Sequence, residues 1–216
     1  VLISEGYEAD DIIGTLAKKA EKEGFDVFMM TSDKDFGQLV SEKVFMYKPG
    51  KTGTDAEIWG VREVCERFGI SRPGQLIDIL GLWGDASDNI PGVPGIGEKK
   101  AKNLIGQFGS IENLLKNLDQ VKEPRIKENL AAFSDQALMS KNLATIILDA
   151  PVSWDEPAFR LKSPDPEKLI PLLDELEFRT FARRIFTDKD IMPPPEEKKP
   201  APAPVPASGQ MDLFSS

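Results

Sequence analysis

Between Gly84 and Gly97, fourteen residues hold four glycines and two prolines: Gly84-Asp-Ala-Ser-Asp-Asn-Ile-Pro91-Gly92-Val-Pro94-Gly95-Ile-Gly97. Proline fixes φ and donates no amide hydrogen, and glycine loses more backbone freedom on ordering than any other residue. Neither a helix nor a central strand can run through such a stretch. It divides the chain into two halves with different periodicities.

Ahead of it, helix and strand signals alternate. A helix begins at Tyr7, carries Ile12, Ile13, Leu16, Ala17 and Ala20 on one stripe, and closes at Gly24. The continuous apolar run Val27–Met30 predicts a buried parallel strand. Ser32-Asp33-Lys34-Asp35 then opens a helical turn through Phe36, Leu39 and Val40, and Val44–Tyr47 reads as a second strand. Thr54 and Glu57 have capping-box spacing for a helix through Trp59, Val64 and Phe68, ended by Gly69. This alternation predicts an α/β fold with a parallel sheet. After Pro73 the strand signals fade. Helices are expected at 76–83, 98–106, 111–117, 125–133, 135–147 and 165–186, the last opened by Pro166 and broken near Pro171. Residues 193–206 hold seven of the 17 prolines, which predicts a disordered, extended linker. The expected organisation is therefore a partial parallel-sheet α/β core (1–83), an all-helical subdomain carrying the glycine hairpin (84–190) and a Pro/Ala-rich tail (191–216).

Composition removes whole classes of chemistry. With no histidine, Ser-His-Asp and Cys-His nucleophiles and His-ligated zinc are excluded. The single cysteine, Cys65, forms no internal disulfide and fits a reducing compartment; it falls on an apolar helix face, where an inert thiol is expected. No apolar run has membrane-spanning length and no basic-then-apolar signal opens the chain, so a cytoplasmic protein without membrane partners is expected. The net charge of −9 argues against a nucleic-acid surface when taken whole, but it is unevenly spread. Residues 1–88 carry 10 basic against 17 acidic groups, and residues 89–127 carry 7 against 4. That asymmetry fits either a metal-neutralised site beside a phosphate-binding one or ordinary surface variation.

Three segments concentrate carboxylates: Glu8-Ala-Asp10-Asp11, Asp33-Lys-Asp35, and Asp85-Ala-Ser-Asp88. Each has a structural reading, as first-turn acids favoured by the helix dipole, as a cap, and as turn residues bonding their own backbone. Position strengthens the functional one. Asp33 and Asp35 follow a predicted parallel strand, where open α/β sheets place ligands. Clustered acids without histidine or thiol form an oxygen-only shell suited to Mg2+ or Mn2+. Two such ions could stabilise both oxygens of a phosphodiester displacement. The hairpin offers the complement: a tight turn feeding a helix N-terminus aims unpaired N–H groups at an anion, with Lys99, Lys100 and Lys102 in the first turns. Lys34, between two acids, reads equally as a phosphate-orienting cation or a solvated charge. Trp59, Trp83 and Phe68 fall on apolar faces and are expected in the core.

Together Glu8-Ala-Asp10-Asp11, Thr31-Ser-Asp33-Lys-Asp35 and Gly84–Gly97 resemble, in order, the motifs of the 5′-nuclease family found in bacterial DNA polymerase I and related to the flap endonucleases. The resemblance spans roughly residues 1–186. It implies a magnesium-dependent phosphodiesterase acting on 5′ ends and flaps in replication and repair, in a bacterial, nucleoid-associated setting. Carried over, Glu8, Asp10, Asp11, Asp33 and Asp35 would be catalytic and, with Asp85 and Asp88, would hold two or more Mg2+ or Mn2+ ions. Gly92, Val93, Gly95, Ile96, Gly97, Lys99, Lys100 and Lys102 would grip duplex or flap DNA, with K+ on the hairpin carbonyls. The resemblance also implies an earlier segment with a further strand, a metal-binding Asp and a helical arch, without which the chain is expected to cut poorly alone. Lys100 stands where family members commonly carry threonine. The tail resembles the linker to the polymerase's remaining domains, and Gln210-Met-Asp-Leu-Phe214 resembles a sliding-clamp docking peptide. A non-catalytic duplex-binding module is the alternative reading. An α/β phosphatase with an Asp nucleophile leaves the glycine hairpin unexplained.

Overall fold

The computed structural model describes residues 1–50 and 55–186. Thr54, the Pro-rich tail and the Gln210–Phe214 peptide lie outside them. Helix α1 (Ala9–Lys22) leads into strand β1 (Val27–Met30), which pairs in parallel with β2 (Val44–Lys48) across a short 3-10 helix, Lys34–Leu39. The sheet order is β1-β2-β3.

Two expectations for this region change. Glu57–Trp59 forms β3, antiparallel to β2, instead of the first turn of a helix. The capping signal exists but lies six residues on: the Gly60 N–H donates to Glu63 at 2.9 Å and opens helix α2 (Val61–Phe68). In addition, among the described residues β1 is covered on one face only. Met29 is buried with Val44 and Met46, whereas Phe28 and Met30 are exposed, Phe28 stacking on Phe45 at 5.2 Å. A run of four apolar residues does not by itself distinguish one covered face from two.

Helix α3 (Leu76–Trp83) is the centre of the core; Leu76, Ile79, Leu80 and Leu82 are fully buried. Around it pack α4 (Glu98–Phe108), α5 (Ile111–Lys116), α6 (Pro124–Ala132) and α7 (Ser134–Leu143). One apolar cluster runs from Ala17 and Met29 through Ile105 and Leu130 to Ile146, so sheet and helices share a core. Asp78, buried on α3, accepts from the Ile111 N–H at 3.0 Å and pairs with Lys141 at 2.6 Å, tying α3 to α5 and α7. Phe68 is buried, and Trp59, Trp83 and Cys65 pack against the cluster as half-buried residues, as expected; burial pushes the Cys65 thiol pKa up.

The described residues divide into two compact units, one within 1–155 and one beginning at Glu156. The second contains α8 (Glu156–Phe159), α9 (Pro166–Glu175) and α10 (Arg179–Ile185), with a small cluster of Leu173, Ala182 and Phe186. Pro171 sits inside α9 and does not break it, contrary to expectation. The acceptor it leaves unused is the Glu167 carbonyl in the first turn. The break comes later, where Glu177 adopts φ 57°.

Candidate metal centre and DNA interface

The 3-10 helix that follows β1 exposes Asp33 and buries Asp35. Asp33 caps this helix, its Oδ1 accepting from the Asp35 N–H at 3.0 Å, so one of its oxygens serves the fold. Asp85 begins a small loop closed by a bridge to Ile90, in which the Asp85 N–H donates to the Ile90 carbonyl at 2.9 Å and the Ile90 N–H returns the bond at 2.8 Å. That closure turns the exposed Asp88 toward Asp35. Carboxylate oxygens of Asp35, Asp85 and Asp88 all lie within 4.8 Å of one another.

Each acid pays a different electrostatic cost. Burial pushes the Asp35 carboxyl up to about 6; Lys34 opposes the rise, and the charges of Asp33 and Asp85 add to it. Its Oδ1 is buried and accepts no hydrogen bond, although Lys34 Nζ lies 3.5 Å away. Such an oxygen is expensive unless something cationic or hydrogen-bonding meets it. Burial also pushes Asp85 up, but hydrogen bonds from Lys34 and Ser87 outweigh it and hold the carboxyl below its ordinary range. Lys34 is not simply a solvated charge: its ammonium pairs with Asp85 and lies close to Asp35.

The first acidic segment meets the third across a cleft of ≈460 Å³, which Glu8, Asp10, Asp11, Asp35 and Asp88 share with residues 142–147. Burial raises the Asp10 carboxyl, partly offset by the Asp11 N–H, while the charges of Asp11 and Asp33 raise it further. Asp11 itself is buried and doubly committed. Its Oδ2 accepts from the Glu8 N–H at 3.2 Å and its Oδ1 from the Ile147 N–H at 2.8 Å.

Sequence reasoning missed this last partner. The helix expected over 135–147 ends at Leu143, and the chain turns back onto α1. Thr15 Oγ1, fully buried, accepts from the Ala150 N–H at 3.1 Å, and the Gln38 side chain holds both the Ala144 carbonyl and the Ile146 N–H. A lone Gln or Thr on a helix carries no local sign of a partner 100 residues away. The wall of the cleft was therefore not legible.

The glycine hairpin is also partly committed to the fold. Gly84 (φ 79°) and Gly92 (φ 61°) pass backbone to backbone, and a Cβ on Gly92 would stand 2.6 Å from the Trp83 carbonyl carbon. The Gly92 N–H donates to the buried Ser140 Oγ at 3.1 Å and its carbonyl accepts from Gln136 at 2.7 Å. Val93 and Ile96 are buried in the core, anchoring the turn. Gly95, Gly97 and Lys99 remain exposed, at and just before the N-terminus of α4, whose first N–H groups lack helical partners. Lys100 pairs with Glu123 at 3.0 Å and Lys102 with Glu98 at 2.6 Å, whereas Lys99 has no ion pair among the described residues.

The chain is similar to known proteins along most of its length. Residues 1–69 match the model for the 5′-3′ exonuclease N-terminal resolvase-like domain, and residues 71–167 the model for the 5′-3′ exonuclease C-terminal SAM fold. DNA polymerase I of Bacillus subtilis is 47% identical over 184 residues, 85% of this chain and 21% of the relative. The chain thus spans about a fifth of the length of such relatives. A structure of bacteriophage T5 5′-exonuclease with bound zinc ions superposes with a TM-score of 0.57 at 27% identity, over 64% of this chain and 50% of that one. A complex of the T5 flap endonuclease with DNA and metal ions gives 0.56 at 26% identity, over 66% and 50%. Two adjoining family models and this level of identity lead to one conclusion: the chain belongs to the 5′-3′ exonuclease family.

Proposed function

We propose that this chain is the metal-binding and duplex-gripping part of a nuclease that hydrolyses DNA phosphodiesters from the 5′ side, on exonuclease and flap substrates. The observation that carries the proposal is the convergence of Asp35, Asp85 and Asp88, with a buried Asp35 oxygen that accepts no hydrogen bond among the described residues and faces the Lys34 ammonium at 3.5 Å. The donor set fits a hard divalent cation: three carboxylates, and no nitrogen or sulfur ligand beside them. Mg2+ or Mn2+ held there, with a second ion toward Asp10 and Glu8, would supply Lewis-acid neutralisation of charge at the scissile phosphate.

The chain's own residues divide the remaining tasks. Asp35, Asp85 and Asp88 hold the cation, while Asp10 and Glu8 present oxygens from the other side of the cleft. Asp33 caps the 3-10 helix with one oxygen and is exposed, outside both the converging triad and the lining of the cleft. Asp11 braces the cleft wall through Ile147. Exposed backbone at Gly95 and Gly97, with Lys99, contacts phosphates without reading sequence. Residue 83 is then a functional boundary, with most of the acids before it and the duplex grip after it. Finer assignments belong to the same reading: K+ on the hairpin carbonyls, polymerase domains following the tail, clamp docking through Leu213 and Phe214, and a cytoplasmic, nucleoid-associated setting.

The test is calorimetric titration of Mn2+ into the chelator-stripped chain, together with filter binding of a 5′-flap duplex. Saturable Mn2+ binding lost in Asp35→Asn and in Asp88→Asn, with salt-dependent duplex binding retained, supports the proposal. Duplex binding without Mn2+ binding would instead favour a non-catalytic DNA-binding module.

A further inference from the structure

Lys34 is a charged group beside the acidic cluster that the reading above does not use. It opens the 3-10 helix between two acids, and its Nζ reaches out of that helix to Asp85 Oδ2 while lying 3.5 Å from Asp35 Oδ1. The ring of Trp83 flanks it, with the ammonium 5.7 Å from the ring centroid. Two of the three carboxylates that converge within 4.8 Å are therefore already bound to an ammonium, and the side chain is only about one-third exposed.

A cluster of acids with no cation repels itself, and the fold must hold it together before any metal arrives. An ammonium and a divalent ion on the same oxygens repel each other, so each weakens the hold of the cluster on the other. Lysine, moreover, is a point charge on a flexible four-carbon stem, able to leave without disturbing the backbone. We infer that Lys34 is a built-in counter-cation of the acidic cluster, occupying it in the metal-free protein and displaced when a divalent ion binds. This rests on the metal-binding reading above and adds the group that opposes it. Metal affinity is set lower than the carboxylates alone would give, and the metal-free chain remains folded in return.

Mn2+ titrated by calorimetry into the chelator-stripped chain tests this in wild type, Lys34→Met and Lys34→Arg. Lys34→Met is expected to bind Mn2+ about tenfold more tightly, the scale of removing one like charge from a partly screened site. It should melt below wild type without metal, and the gap should close at saturating Mn2+. Lys34→Arg, which keeps the charge, should stay near wild type in both. If Lys34→Met does not fold, Lys34→Gln takes its place. Unchanged or weaker Mn2+ binding in the neutral variant, with wild-type binding intact, overturns the counter-cation role and leaves the metal site standing. Absence of Mn2+ binding in wild type overturns the metal site itself.

Discussion

Replacing Asp11 by alanine tests how the cleft is built. Its Oδ2 caps α1 through the Glu8 N–H and its Oδ1 satisfies the Ile147 N–H. Losing the cap costs about 1 kcal/mol. Stranding a partly buried N–H costs about 1 kcal/mol, the low end of the usual range because Ile147 is itself exposed. Relief of repulsion on Asp10 returns a few tenths. The net loss is about 2 kcal/mol, a melting temperature lower by roughly 4–8 °C for a chain of this size. Asp11→Asn keeps one acceptor oxygen and should lose about half as much. Calorimetric melting of the three proteins, with Mn2+ affinity measured on each, distinguishes a brace from a ligand. Asp11→Asn should retain Mn2+ binding. A variant that melts like wild type yet no longer binds Mn2+ would refute the assignment.

Gly92→Ala forces a Cβ against the Trp83–Gly84 backbone at a positive φ, and should cost about 4 kcal/mol or more; urea unfolding near wild type would show that the hairpin can shift. The contribution of Asp35 to the stability of the metal-free chain should fall as pH rises from about 4 to 6. The Asp35 carboxyl stays protonated in the fold up to about 6 while the unfolded chain has already released its proton, and Asp35→Asn should remove that slope in urea melts. Lys99→Ala should lower the slope of log Kobs against log salt for duplex binding by about 1, whereas Lys102→Ala, already paired with Glu98, should change it less. Equal changes would mean that Lys102 leaves its partner on DNA.

Local signals carried well where one element holds the information. Leu76–Trp83 begins and ends where its apolar pattern does, and the strand at Val44 differs from expectation only by Lys48. Asp33 and Asp35 follow a parallel strand as predicted, and Asp88 joins Asp35 because the Asp85–Ile90 bridge closes the intervening loop. Signals failed where a tertiary partner decides. Glu57-Ile58-Trp59 has the spacing of a capped helix but finds a strand edge on β2. Gly92, Val93 and Ile96 belong to the motif read as phosphate-binding, yet the Gly92 and Val93 amides bond to α7 and α3 and the Val93 and Ile96 side chains are buried. The pairing of Lys34 with Asp85, 51 residues on, has no local trace at all.

The central claim is that Asp35, Asp85 and Asp88 share a divalent cation. Crystals of the chain soaked in MnCl2 and measured at the manganese absorption edge test it directly. The account predicts an anomalous peak within coordination distance of Asp35 and Asp88, with the Lys34 ammonium moved away from Asp85. No peak at these carboxylates, or manganese bound only elsewhere on the chain, would contradict it.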